Sequence, residues 1–194
     1  MGKIVVTNNL SLDGVMQAPG RPDEDTRDGF NRGGWALPYN DAVMGAKMGE
    51  GMARLGSLLF GRRTYEDFFR VWPNRTDNPF TEVLDGTRKY VASRTLREPL
   101  PWQNSTLLRG DAADAVAELK DHLSGDLAIL GSGDLIQSLR RRRLIDTYVL
   151  LIYPLVLGSG RRLFPDGETP EELRLAESVT TTTGVVIATY EVAA

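Results

Sequence analysis

One stretch of the chain, residues 127–139, constrains the fold more than any other. A short apolar run, Leu127–Leu130, is followed directly by the small-residue turn 131–133 and then by apolar residues at helical spacing. This order predicts a buried strand that leads into an amphipathic helix. The turn then lies at a helix N-terminus, where unpaired N–H groups and the helix dipole favour an anion such as a pyrophosphate. The simpler interpretation is a tight strand-to-helix turn with Ser132 as the helix cap.

The composition predicts a single domain over residues 1–194 and argues against several classes of partner. A chain that is 41% hydrophobic and 25% charged is ordinary for a globular protein. The net charge of −3 argues against nucleic-acid and anionic-membrane partners, which require a basic face. The absence of cysteine excludes disulfides and thiolate sites and fits a reducing cytoplasm. The only histidine, His122, is expected at the surface, so we expect no metal site.

Strands and helices alternate along most of the sequence. Residues 17–35 are polar and rich in glycine and proline, which predicts a long irregular loop. This order predicts an α/β fold with a mainly parallel sheet, an antiparallel edge and two C-terminal strands without a helix between them. The predicted strands are 3–9, 57–61, 89–93, 105–108, 127–130, 145–156 and 184–192, and the predicted helices are 39–55, 62–69, 111–123 and 133–140.

Three predicted strand ends carry small, polar or basic residues, and ligands bind at the carboxyl ends of strands in open α/β sheets. Together they supply a helix N-terminus for a pyrophosphate, hydroxyls for further oxygens and guanidinium groups for a ribose 2′-phosphate, which favours NADPH. The third glycine of a Rossmann fingerprint and a Walker A lysine are both missing. The candidate cofactor-binding residues are Gly61, Arg62, Arg63, Thr64, Ser93, Arg94, Thr95, Gly131, Ser132, Gly133, Asp134 and Leu135.

The same segments resemble those of a known superfamily. The run from Gly61 to Glu66 is similar to the Gly-Arg-x-Thr-Trp/Tyr-Glu motif of dihydrofolate reductases, and the strand ending in Ser93 and Arg94 also resembles theirs. The RibD C-terminal domain-like reductases of riboflavin biosynthesis are more similar still, through residues 11–14 (Ser-Leu-Asp-Gly) and the glycine motif of residues 154–164. The resemblance implies a three-layer fold with helices on both faces of the sheet. It also implies a frequently homodimeric NADPH-dependent reductase of a pterin-like or aminouracil-type small molecule.

The candidate catalytic residues are Asp13 and Asp41. Residues 35–41 resemble the Trp-x-Leu-Pro-x-Asp segment of dihydrofolate reductases, but Asn40 occupies the position of the carboxylate and Asp41 follows it. Because a helix turns by about 100° per residue, Asp41 need not face the same pocket. Asp13 is the other candidate acid, and a simple turn after the first strand explains its position equally well.

The candidate substrate-binding residues are Trp35, Asn40, Tyr153 and Arg161. Trp35 could line a pocket or simply pack, and Tyr153 could bind substrate or cap the core. Arg161 follows a glycine turn that could hold a substrate phosphate, and a solvated arginine is the alternative.

The activity that these patterns favour is hydride transfer from NADPH to a heterocycle or a sugar-derived imine or carbonyl. The specific hypothesis is a 5-amino-6-(5-phosphoribosylamino)uracil reductase. The alternatives are a dihydrofolate, pterin or xenobiotic carbonyl reductase of the same fold and a non-catalytic nucleotide-binding protein.

Overall fold

The computed structural model describes residues 2–167 and 169–193. Its strands are β1 (Ile4–Ser11), β2 (Ser57–Gly61), β3 (Arg88–Ala92), β4 (Ser105–Leu108), β5 (Leu127–Leu130), β6 (Thr147–Tyr153), β7 (Leu173–Thr180) and β8 (Val186–Val192). Its α-helices are α1 (Ala42–Ala53), α2 (Arg62–Val71), α3 (Phe80–Gly86), α4 (Ala112–Asp121) and α5 (Gly133–Arg141). Short 3₁₀ helices lie at Arg27–Gly29, Leu37–Tyr39 and Trp72–Asn74.

The strands follow the order β4-β3-β2-β5-β1-β6-β8-β7 in the sheet. The pairs β2–β3, β2–β5 and β3–β4 are parallel, whereas β6–β8 and β7–β8 are antiparallel. The predicted fold class, an α/β fold with a mainly parallel sheet and an antiparallel C-terminal edge, is therefore confirmed. Three strands rather than two end the chain, since the prediction missed β7; it also missed α3, which begins directly after Pro79.

The chain divides into two compact units. The first comprises the residues up to Val6 and Gly49–Asp146, and the second comprises Thr7–Met48 and the residues from Thr147 onward. The prediction of one domain over residues 1–194 stays a prediction.

The first unit has a core of aromatic and branched side chains. The apolar strand β2 is buried along four successive residues, as expected for a strand with neighbours on both sides. Phe60 at its end packs against Tyr65 of α2 and against the indole of Trp102. The backbone N–H of Trp102 donates to the Tyr65 hydroxyl at 3.0 Å. The burial of β2 and of Tyr65 in α2 therefore fixes the position of the turn between them, residues 61–64.

The second unit packs its core around β6. Leu151 and Tyr153 of β6, Met44 of α1 and Trp35 are buried in one cluster. The long segment 17–35 is irregular, as predicted, apart from one 3₁₀ turn. Its anchor is the buried Gln17, whose carboxamide nitrogen donates to two carbonyl groups of the segment, those of Asp25 and Arg27. The loop is therefore held in place by a polar side chain within a largely apolar core.

Within the described residues, no helix is both long enough and apolar enough to cross a membrane.

Candidate functional site

The three predicted strand ends of the first unit lie at one edge of its parallel strands. Gly61 of β2 pairs in register with Ala92 of β3, and Leu59 pairs with Ile129 of β5. Because all three strands run in the same direction, the residues that follow each of them emerge side by side. We call residues 61–64, 93–95 and 131–135 the strand-end cluster. The prediction that these segments lie together is therefore confirmed.

Ser132 ties two of these segments together. Its hydroxyl accepts a hydrogen bond from the Gly61 N–H at 3.0 Å and donates to the Leu130 carbonyl at 3.3 Å. Its own N–H donates to the Thr64 hydroxyl at 3.1 Å. Ser132 has a left-handed backbone with φ of +60°, which is uncommon for a residue other than glycine. Gly131 shares that conformation, with φ of +61°, and a Cβ there would lie 3.3 Å from a Thr64 methyl carbon.

The helices that begin in the strand-end cluster have no side-chain caps. Ser132 occupies the N-cap position of α5, but its side chain makes no capping hydrogen bond, and Gly61 at the N-cap of α2 has no side chain. In contrast, the Asp111 carboxylate caps α4 by accepting from the N–H groups of Ala113 and Asp114. The turn is therefore the tight strand-to-helix connection of the simpler interpretation, with Ser132 at the N-cap position, but the Ser132 side chain does not cap the helix. Helix N-termini without a capping side chain are suited to bind an anion.

The arginines of the cluster are exposed and are paired with carboxylates. Arg62 lies 3.2 Å from Glu66, and Arg63 lies 3.4 Å from Asp134 in the first turn of α5. Arg94 lies 3.8 Å from a carboxylate oxygen of Asp111, and its side chain is 80% exposed. Exposed pairs of this kind contribute about 0–1 kcal/mol, so an anionic ligand can compete for these guanidinium groups at little cost.

Two other candidate cofactor residues have structural roles. The Ser93 hydroxyl accepts from the N–H groups of Thr95 and Leu96 at 3.1 and 3.0 Å, which closes the turn after β3. The Leu135 side chain is buried in the first unit, with its Cβ 3.7 Å from the position that a Cβ at Gly61 would occupy. The positions of both residues agree with their predicted location, and their cofactor contacts stay predictions.

Asp13 anchors a loop in the second unit. One carboxylate oxygen accepts from the Ser11 hydroxyl at 2.6 Å and from the Leu157 N–H at 3.0 Å. The other accepts from the Gly158 N–H at 2.8 Å. The Ser11 hydroxyl and these two backbone N–H groups lower the pKa of Asp13 from 3.8 to about 2. Asp13 is therefore ionised at neutral pH, and its carboxylate connects the end of β1 to the loop after β6.

Asp41 begins helix α1. One of its carboxylate oxygens accepts from the Met44 N–H at 2.8 Å, as an N-cap does. The other accepts from both the N–H and the hydroxyl of Thr182, each at 2.6 Å. The Met44 N–H and the Thr182 hydroxyl lower the pKa of Asp41 below its usual value. The geometry of Asp13 and Asp41 favours anchoring, and their catalytic role stays a prediction.

Three aromatic rings pack together in the second unit. The ring of Tyr153 meets Trp35 edge-on at a centroid distance of 5.2 Å and Tyr39 at 5.5 Å. The indole N–H of Trp35 donates to the Gln17 carbonyl at 2.8 Å, which fixes the ring. The Tyr153 hydroxyl donates to the side-chain oxygen of Asn9 at 2.8 Å, and burial raises its pKa to about 12. We call Trp35, Tyr39, Tyr153 and Asn9 the aromatic cluster.

Trp35 and Tyr153 are almost fully buried, so packing accounts for most of their surface. Asn40 is exposed at the end of the 3₁₀ turn before α1. Arg161 is partly exposed, with its guanidinium 3.7 Å from the Asp28 carboxylate. Its backbone N–H donates to the Gln17 side chain at 3.0 Å. The substrate contacts of these four predicted residues stay predictions.

Gly160 shows why the motif of residues 154–164 needs glycine. Its φ is +121°, and a Cβ there would come within 2.6 Å of Val15 and 2.9 Å of the Phe30 ring. Any side chain at this position would therefore push the loop away from the second-unit core.

The sequence interpretation missed three residues that organise these sites. Gln17 lies in a segment whose composition indicates only a loop. Asn9 ends the first predicted strand, and Tyr39 begins the predicted helix of residues 39–55, but neither was assigned a role. The one available signal was a pair of asparagines inside a predicted strand, where an amide side chain needs a partner.

Among residues 2–167 and 169–193, no group of three or more acidic or histidine side chains could hold a metal ion. His122 is exposed at the C-terminal end of α4, as predicted.

Comparisons with known proteins identify the family. The RibD C-terminal domain family matches residues 2–187. An uncharacterised protein of Bacillus subtilis (strain 168), YyaP, is 29% identical over 143 residues, which cover 71% of this chain and 74% of the relative.

Solved structures share the fold. A putative riboflavin biosynthesis protein from Shewanella sp. PV-4 is 22% identical, with a TM-score of 0.69 and full coverage of both chains. A pyrimidine reductase-like protein from Corynebacterium diphtheriae is 12% identical, with a TM-score of 0.68 over all of this chain and 92% of the other. RibD of Acinetobacter baumannii is 14% identical, with a TM-score of 0.63, and this chain covers 58% of it.

Proposed function

Because the chain belongs to the RibD C-terminal domain family, we propose that it is a reductase that uses NADPH. The observation that supports NADPH most strongly is the pair of uncapped helix N-termini, those of α2 and α5, held side by side by Ser132. Two such termini present N–H groups and positive dipole ends to a pyrophosphate. Gly61 and Gly131 let the phosphates approach the main chain, since neither carries a side chain.

The residues of the strand-end cluster fit the remaining parts of the cofactor. Arg94 is the exposed guanidinium that we assign to the ribose 2′-phosphate. Its present partner, the Asp111 carboxylate, is 3.8 Å away, so the ion pair is weak and a phosphate can replace it. Arg62 and Arg63 add positive charge beside α2. NADPH bound there would supply a hydride from C4 of its nicotinamide ring.

The substrate would be held by the second unit. The proposed substrate is 5-amino-6-(5-phosphoribosylamino)uracil. In the reaction, the hydride adds to the carbon of a C=N or C=O bond, and a proton adds to the nitrogen or oxygen of that bond. The partly buried Tyr39 of the aromatic cluster offers apolar surface to a heterocycle, and Arg161 offers a cation to the phosphate. Asp13 and Asp41, which are ionised at neutral pH, hold the surrounding loops in place and contribute negative charge. We assign the proton to water.

The test is turnover. Purified protein with NADPH and 5-amino-6-(5-phosphoribosylamino)uracil is expected to oxidise NADPH, measured by loss of its absorbance. The Arg161→Ala variant is expected to lower kcat/KM by about tenfold for this substrate and to leave the dephosphorylated compound unaffected. Normal NADPH binding without turnover of this substrate would contradict the proposed reaction.

A non-catalytic nucleotide-binding protein is the second candidate, favoured by one observation. Both candidate acids are occupied by hydrogen bonds within the second unit. NADPH oxidation with any carbonyl, imine or pterin substrate would exclude this candidate.

We also propose a cytoplasmic homodimer, following the family resemblance. Light scattering of the purified protein would give the mass of the particle, and the mass of a single chain would contradict the dimer.

A further inference from the structure

We propose that Asn9 is a specificity residue that recognises a ring carbonyl oxygen of the substrate. This inference rests on the proposed function, since it names the chemical class of heterocycle that the second unit accepts. It predicts a neutral oxo-heterocycle, such as a uracil ring, in preference to a ring that carries amino groups in place of the carbonyl oxygens, such as a diaminopyrimidine.

The first argument is the orientation of the Asn9 carboxamide. Its Oδ1 accepts a hydrogen bond from the buried Tyr153 hydroxyl at 2.8 Å. With the oxygen engaged, the Nδ2 amino group points to the other side of the amide. Tyr153 is in turn held by the Trp35 and Tyr39 rings, so the amide is fixed rather than free to rotate.

The second argument is the hydrogen bonding of Nδ2. It donates to no group among the residues that the structure describes. Within that part of the chain, the buried side-chain polar atoms without a partner are Thr81 Oγ1 and Ser105 Oγ. Asn9 Nδ2 is therefore in contact with solvent, even though the residue is only partly exposed. An oriented, unpaired donor of this kind is available to a ligand.

The third argument is the chemistry around the donor. Tyr39 presents its hydroxyl, which also has no partner in the described chain, on the same cluster. Met44 and the partly buried Met48 of α1 pack in the same core, together with Trp35 from the loop before α1. Tyr39 and Met48 are only partly buried, and their apolar surfaces beside an amide donor suit a planar, neutral ring with a carbonyl oxygen.

The fourth argument concerns what this cluster lacks. A diaminopyrimidine presents amino groups in place of carbonyl oxygens, and these require an acceptor such as a carboxylate. The carboxylate that begins α1, Asp41, already accepts three hydrogen bonds from Met44 and Thr182. The free donor and the occupied acceptor therefore favour a ring carbonyl over an amino group at the same ring position.

The experiment compares two rings of the same size. 6-Aminouracil carries two carbonyl oxygens where 2,4,6-triaminopyrimidine carries two amino groups. The two ring nitrogens accordingly bear hydrogens in 6-aminouracil and none in the triamino ring. Their dissociation constants would be measured by ligand-detected NMR titration on the wild type and on Asn9→Asp, which can still accept from Tyr153. Asn31→Asp adds the same charge at an exposed position of the second unit and is the matched control.

We expect the wild type to bind 6-aminouracil more tightly than the triamino ring. Asn9→Asp is expected to weaken 6-aminouracil binding by at least about tenfold and to tighten binding of the triamino ring, whereas Asn31→Asp changes neither. A lost fold cannot produce this reversal, because it would weaken both rings.

If Asn9→Asp and Asn9→Ala both bind 6-aminouracil as tightly as the wild type does, the assignment of Asn9 is wrong. A wild type that binds neither ring would overturn it as well. In either case, NADPH titration of the same samples separates this failure from failure of the proposed function, because the cofactor is assigned to residues of the first unit.

Discussion

The strand-end cluster of the first unit and the two aspartates of the second unit use their polar groups in opposite ways. At the starts of α2 and α5, main-chain N–H groups have no side-chain cap, and Ser132 is turned away to tie two strands together. At Asp13 and Asp41, every carboxylate oxygen accepts a hydrogen bond from its own unit. Polar groups without an internal partner indicate a ligand site, whereas satisfied ones indicate an anchor.

The largest effect that would test this contrast is expected at Asp13. Replacement by alanine removes the acceptor of the Ser11 hydroxyl and of two backbone N–H groups. We expect Asp13→Ala to lower the free energy of unfolding by about 3 kcal/mol in urea denaturation and to leave NADPH affinity unchanged. Asp166→Ala, at an exposed position of the loop that follows, is the matched control. A variant of wild-type stability that loses turnover would instead identify Asp13 as a catalytic acid.

Asp41 is expected to show a smaller effect of the same kind. The Asp41→Ala variant loses the cap of α1 and the contact with Thr182, so we expect a lower free energy of unfolding, by less than for Asp13→Ala. Asp41→Asn keeps one capping oxygen and should lose about half as much. Equal stability of Asp41→Ala and the wild type in the same denaturation series would refute the anchoring role.

The pH dependence of stability follows from the lowered pKa of Asp13. Its pKa in the folded chain, about 2, lies below the usual 3.8, so the unfolded chain binds the proton more tightly. The stabilisation is therefore complete above about pH 5 and declines as the pH falls toward 2. We expect the stability difference between wild type and Asp13→Asn to shrink by about 1 kcal/mol from pH 6 to pH 3. A difference that stays constant over this range would show that Asp13 titrates normally.

The smallest predicted effect concerns Asp134 in the strand-end cluster. Its carboxylate lies in the first turn of α5 and pairs with Arg63, so it competes with an anionic ligand. We expect Asp134→Asn to tighten NADPH binding by about two- to threefold at low salt and to have less effect at high salt. Asp121→Asn, on an exposed part of α4, should leave the affinity unchanged. Weaker binding in Asp134→Asn would mean that its carboxylate contacts the cofactor directly.

The fold was predictable where burial and periodicity agree. The apolar runs of β2 and β5, each followed by a small residue and a helical pattern, identify the strand-end cluster without further information. β7 could not be found in this way, because residues 174–178 are exposed and show no alternation of burial. An edge strand that pairs on one side only gives little sequence signal.

The candidate site was predictable in position rather than in detail. The sequence places Ser132 at a helix N-terminus, but propensity alone predicts a cap there, and only the contact with Gly61 shows otherwise. Likewise, Asp41 is both a good N-cap and a candidate acid, and only its contact with the distant Thr182 favours the first role. Contacts between residues far apart in the chain decide such cases, and no local pattern contains them.

The central claim, a cofactor site for NADPH in the first unit, is tested most directly by nicotinamide fluorescence titration. The account predicts that the wild type prefers NADPH to NADH. It also predicts that Arg94→Ala weakens NADPH binding by about ten- to a hundredfold with no change for NADH. Arg97→Ala, an exposed arginine of the same loop, should keep the preference. Absence of binding to either cofactor by the wild type would contradict the account and leave the strand-end cluster as a feature of the fold alone.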